Sequence, residues 1–136
     1  MLFRSLEALC LRLIADLNAA PGPFPAPEAI LAQAPEVAGL PGRSVKAARC
    51  PEWMRALRVT GMFIPLTGEA IVDASAPAAL VPFTAVHELM HLTGIADEGS
   101  ANIAAYRRCV SAGGAFAASA RLWARKYALS DRKSVV

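Results

Sequence analysis

An α+β fold is predicted by three features of the 136-residue chain. A leucine stripe of helical period runs through residues 2–17, two short apolar runs flank a Thr67-Gly68 turn, and helix-period segments with start and stop residues fill the C-terminal half. Taken in order, Leu2, Leu6, Leu9, Leu13 and Leu17 share one helix face with Phe3, Cys10 and Ile14 beside them. The charges Arg4, Glu7, Arg12 and Asp16 fall mostly elsewhere, so an N-terminal helix within residues 1–20 is expected. Residues 21–42 hold six of the ten prolines and read as a semi-extended connector around one short helix near 27–33. In the stretch 43–112, a short helix over 51–58 is opened by Pro51 and carries Trp53, Met54 and Leu57. Met62–Ile64 and Ala70–Val72 read as the strands of a hairpin closed by Leu66-Thr67-Gly68-Glu69. Ser75 and Pro77 are helix-start residues, Pro82 restarts or bends that helix, and Gly94 stops it just after Leu92. The next helix begins at Asp97 or Glu98 and runs through Val110, Gly113-Gly114 break it, and a last helix covers 116–127 within a basic segment 113–136. Trp53 and Trp123 are expected to pack in the core or at its edge.

Composition narrows the classes. With 55% apolar and 18% charged residues, the chain is no disordered polyelectrolyte, and its length suits one domain able to bury a core. Cys10, Cys50 and Cys109 are too few and too scattered for a disulfide framework and form no CxxC pair, so they read as buried or free thiols. No run reaches the ~18 consecutive apolar residues of a membrane helix, and charges interrupt the N-terminal stripe, so a signal peptide is not expected either. A soluble domain is the expectation, cytoplasmic or membrane-associated. The net charge of +3 conceals an asymmetry: from Arg107 onward seven basic residues face one acidic residue, giving +6, while the first 106 residues carry −3. Such a basic C-terminal third can contact an anionic membrane surface, although a solvated helix face has the same composition. No nucleic-acid-binding signature accompanies it, so a nucleic-acid partner is not expected.

The chemistry is concentrated in His87-Glu88-Leu89-Met90-His91, which holds both histidines of the chain. Residues i and i+4 of a helix share a face one turn apart, so both imidazoles can reach one metal ion. Glu88 points to the side of that pair, where it can deprotonate a metal-bound water rather than ligate the metal. This is the HExxH arrangement of zinc hydrolases, and Zn²⁺ is the expected cofactor. A catalytic zinc site takes three protein ligands and a water. With no third histidine, the ligand must be a carboxylate or a cysteine, and Asp97 and Glu98 lie just downstream. Asp97 would complete HExxHxxGxxD, a metzincin-like variant, but no methionine follows Met90 to supply that class's methionine turn. Glu98 opens the next helix, the gluzincin way of completing the site, and is the preferred ligand.

Beyond this motif, Gly61-Met62-Phe63-Ile64-Pro65-Leu66-Thr67-Gly68-Glu69-Ala70, Pro82-Phe83-Thr84, Gly94, and Ala101-Asn102 with Ala105-Tyr106 occur in order. Together they resemble a bacterial domain-of-unknown-function family with a G-x-x-x-P-x-T-G-E strand, a PFTxxHExxH helix and a D-E-A-N helix start. The resemblance covers about residues 43–112 and implies a zinc metallopeptidase, in a family whose members usually carry membrane-spanning segments ahead of the catalytic domain. The family's D-E reads Gly99-Ser100 here, with Glu98 retained before it. The pattern E-x-x-A-N is also similar to the E-x-x-x-D of integral-membrane CAAX prenyl proteases, which again favours Glu98.

Three further residues have both a functional and a plain reading. Asn102, one turn after Glu98, can support a ligating imidazole from behind or be an ordinary helix-surface amide. Tyr106, another turn on, can donate to the oxyanion of a tetrahedral intermediate or be a structural tyrosine. Glu69, after the turn, can face the substrate cleft or be a solvated carboxylate. The expected whole is a zincin-like α+β domain: a zinc-dependent peptidase with His87, His91 and Glu98 on the metal, Glu88 as general base, and a peptide or protein substrate. Gly68–Asp73 is the expected sheet edge for substrate pairing. The alternative is a zinc-binding domain that recognises a protein partner without cleaving it. Oligomeric state is not legible.

Overall fold

The computed structural model describes residues 23–134 continuously, with residues 8, 11, 12 and 15, which are helical and exposed. The rest of the expected N-terminal helix, leucine stripe included, lies outside the described residues. Helix α1 (Pro27–Val37) opens on proline, whose missing N–H costs nothing in a first turn, and buries Ile30, Leu31 and Ala34. It runs four residues past the expected end and carries Pro35 inside it. Strand β1 (Val45–Ala47) follows. Helix α2 (Pro51–Ala56) also opens on proline and buries Met54. Strands β2 (Gly61–Ile64) and β3 (Glu69–Val72) form the expected hairpin.

The sheet order is β1-β3-β2, with β3 parallel to β1 and antiparallel to β2. This corrects the expected pairing edge. Gly68–Asp73 lies in and around the central strand, because β1, which was not anticipated, occupies its far side. Among the described residues, the free edge on the hairpin is therefore β2. In register, Val45, Ala70 and Phe63 lie across one row, and Ala47, Val72 and Gly61 across another.

Helix α3 (Val81–Leu92) is the centre of the molecule, and every residue from Val81 to Met90 is buried. It packs on β2 and β3 on one side and on α1, α4 (Glu98–Ala112) and α5 (Gly114–Ser134) elsewhere. Burial all round explains its nearly continuous apolar sequence, in which His87 and Glu88 stand out. Pro82 occupies its first turn. The earlier start residues serve a turn instead: Ser75 donates its N–H to the buried Asp73 carboxylate at 2.9 Å. No side chain within α3's own approach caps it. The substitute comes from α5: Ser119, fully buried, accepts the Phe83 N–H at 3.1 Å and donates to the Ala79 carbonyl at 2.6 Å. Replacing Ser119 by alanine strands the buried Phe83 N–H and the part-buried Ala79 carbonyl, and urea unfolding should register a loss of about 1–3 kcal/mol.

Gly113, at φ 72°, ends α4, a conformation open to glycine at little cost, and α5 starts at the next residue. Both helices exceed their expected lengths. One apolar cluster joins α1, the sheet, α3, α4 and α5, with Val86, Leu89, Cys109 and Phe116 among its buried members. Cys50 is exposed and Cys109 buried, both as free thiols. Trp123 packs against this core, but Trp53 does not: it is 73% exposed, since Met54 takes the inward face of the short α2. Among the described residues, no helix is long and apolar enough to cross a membrane.

Candidate metal centre

The buried helix α3 presents His87 and His91 one turn apart toward the start of α4, where Asp97 caps the helix and Glu98 is its first residue. The three side chains meet. His87 Nε2 lies 3.2 Å from His91 Nε2 and 3.1 Å from Glu98 Oε2, and His91 Nε2 lies 3.1 Å from Glu98 Oε1. These separations approach the edge of a tetrahedron whose centre is about 2.0–2.1 Å from each corner, about 3.3–3.4 Å. The donor set, two imidazoles and one carboxylate, thus fits a single ion of zinc's size. The two histidine side chains are about one-tenth exposed while Glu98 is 74% exposed, so the open side of the group faces solvent.

The imidazoles are prepared for ligation. His91 Nδ1–H donates to the Ile95 carbonyl at 2.6 Å, which leaves Nε2 with its lone pair toward the group. Gly94, at φ 97°, turns the chain so that this carbonyl comes back to the histidine. Burial lowers the pKa of His87 against the opposing pull of Glu98 and so favours the neutral, ligating ring. Phe63 from β2 stacks over His91 at 6.1 Å and 23°, and Phe83 packs on His87 at 6.1 Å. Asn102, one turn along α4 from Glu98, opposes the burial that lowers the His87 pKa and donates to the Tyr127 hydroxyl at 3.1 Å.

Glu88 borders the same group. An open cleft of about 530 Å³ is lined by Gly61, Met62, Phe63, Glu88, His91 and Glu98, among others. The absent side chain of Gly61 makes room for the acid: a Cβ there would stand 2.7 Å from Glu88 Oε1 and 2.7 Å from Thr84 Cγ2. Burial, with the Glu98 charge adding and His91 opposing, pushes the Glu88 carboxyl up to about 7. In the metal-free protein this acid keeps its proton where the unfolded chain, near 4.5, has released it. Its contribution to stability is therefore full below about 4.5 and is lost as pH rises toward about 7. Glu88→Gln, which has no proton to lose, should melt higher than wild type at pH 8, by about 1–3 kcal/mol, and equally at pH 4.5. Differential scanning calorimetry of both metal-free proteins checks this.

The remaining expected site residues are placed elsewhere. Asp97, the rejected third ligand, accepts the Ser100 N–H at 2.7 Å, and this bond lowers its pKa. Zinc affinity measured by chelator competition should accordingly collapse in Glu98→Ala. Asp97→Ala should keep the metal and lose only some stability through its cap. Tyr106 packs half-buried against the core and is not among the cleft residues. Eight residues past Glu98 it is displaced by about 12 Å along α4 and about 80° around it, so no oxyanion role follows from its position. Glu69 also lies outside the cleft lining: it pairs with Lys46 of β1 and accepts from Thr67 at 3.1 Å, and the lysine holds its carboxyl below the usual range. The residues that sequence reasoning missed are Gly61, Phe63, Phe83, the Ile95 carbonyl and Tyr127. The strand and helix motifs contained the first three, without indicating which atoms they meet.

A family model described as "Protein of unknown function (DUF3810)" matches residues 28–135, which take in the sheet and the helices from the second residue of α1 to the end of α5. No curated protein and no solved structure matches the chain significantly.

Proposed function

The chain belongs to this DUF3810 family, whose description assigns no activity, and from the cleft we propose that it is a zinc-dependent peptidase of gluzincin type. The observation that carries the reading is Glu88, a buried acid lining the cleft that His91 and Glu98 border. A site that only held a metal would have no use for it. Zinc, when bound by His87, His91 and Glu98, lowers the pKa of a coordinated water toward about 7 and polarises a carbonyl. Glu88 takes up the proton of the attacking water and delivers it to the leaving amine. The free edge of β2 offers backbone groups to an extended peptide, antiparallel or parallel, directly beside Glu88. Gly61 keeps that edge close to the acid, and Met62 and Phe63 supply apolar contacts.

The test is a broad peptide library read by mass spectrometry with zinc-loaded, chelated and zinc-restored protein. Cleavage that disappears on chelation and returns with zinc is expected. Zinc-loaded protein that cleaves no member counts against the peptidase reading and in favour of a metal-binding module.

A further inference from the structure

Helix α5 reaches the metal centre from behind by two routes. One is a run of rings: His87 packs on Phe83 at 6.1 Å, Phe83 on Trp123 at 5.4 Å, and Trp123 on Tyr127 at 5.9 Å and 30°. Lys126 covers the indole, its Nζ 4.6 Å from the ring centroid. The other is polar. Nε2 of His87 faces Glu98 and His91, which leaves Nδ1, buried and without a close partner, as the atom that Asn102 can serve. The Asn102 amide nitrogen is in turn held by the Tyr127 hydroxyl at 3.1 Å. An amide has one acceptor and one donor end. With Nδ2 committed to Tyr127, Oδ1 is the end free to accept from the Nδ1–H that a ligating His87 must carry.

We propose that Tyr127 is a positioning residue for the metal centre: through Asn102 it fixes the acceptor that orients His87 for ligation. The inference rests on the metal-centre reading above and gives the C-terminal helix a role in that site. Without the hydroxyl the amide loses its anchor and is free to rotate its NH2 end, a donor, toward Nδ1–H. A carboxylate at position 102 has two acceptor oxygens and a charge-assisted bond to the imidazole, so it has no need of the anchor.

The experiment measures zinc affinity by chelator competition, and the visible spectrum of the cobalt(II)-loaded protein, for wild type, Tyr127→Phe, Asn102→Asp and the double variant. Tyr127 is 49% exposed, so phenylalanine there is compatible with the fold, and melting of the metal-free variant verifies it. Tyr127→Phe should bind zinc about 10–100-fold more weakly with an altered cobalt spectrum, as expected for a lost outer-shell partner. Asn102→Asp should restore both in the double variant. A merely structural tyrosine predicts no such rescue. Wild-type affinity in Tyr127→Phe, or weakened affinity that Asn102→Asp leaves unrepaired, overturns the proposal. Wild type that takes up no zinc overturns the metal reading itself and this inference with it.

Discussion

Glu88→Gln should lower the proposed peptide cleavage by about 10²–10⁴-fold, the usual contribution of a general base, while zinc content should stay at the wild-type level. The separation follows from geometry. Position 88 is offset by about 100° around α3 from His87, and the acid lines the cleft beside the three-residue ligand group without being one of its members. Glutamine preserves the size of the side chain and its fit against Gly61 and Thr84, so the change is confined to the proton. Steady-state cleavage rates with parallel elemental analysis read both quantities. Equal rates in the two proteins remove Glu88 from the mechanism, and loss of zinc in the variant makes it a ligand.

Replacing His87 and His91 together by alanine should take zinc from the expected one per chain to none. Glu98 alone remains of the group, and a single, largely exposed carboxylate cannot hold the ion against solvent. Both substitutions lie in the buried helix, so apo stability has to be followed beside metal content. His91→Ala also frees the Ile95 carbonyl, and His87→Ala leaves a void next to Phe83. A folded double variant with wild-type zinc places the ion elsewhere.

How far the sequence reached depended on whether the signal was local. The spacing of His87, Glu88 and His91 is a property of one helix, and the three-dimensional structure puts both histidines beside Glu98. Glu98 was preferred over Asp97 because no methionine follows Met90, and in the structure Asp97 instead caps the helix through Ser100. The hairpin was legible for the same reason, two apolar runs about a glycine turn. β1 was not: three residues with two exposed give no period, and its pairing with β3 is a long-range event. Nor could spacing reveal that Lys46 would claim Glu69, or that Trp53 would point to solvent on a helix too short to have a second buried residue. Tyr106 and Asn102 lie on the same helix, and distance along it as well as angle around it separates Asn102, one turn from Glu98, from Tyr106 at the core. The support from α5, through Ser119, Trp123 and Tyr127, crosses the sequence by 25 residues or more and leaves no local trace.

The most direct measurement is anomalous diffraction at the zinc edge from crystals of the zinc-loaded protein. One peak is predicted, about 2.0–2.1 Å from Nε2 of His87, Nε2 of His91 and the Glu98 carboxylate, with Glu88 beside the fourth position and Asp97 still on its helix cap. A peak ligated by Asp97, a peak ligated by Glu88, or no peak between the two histidines contradicts the account.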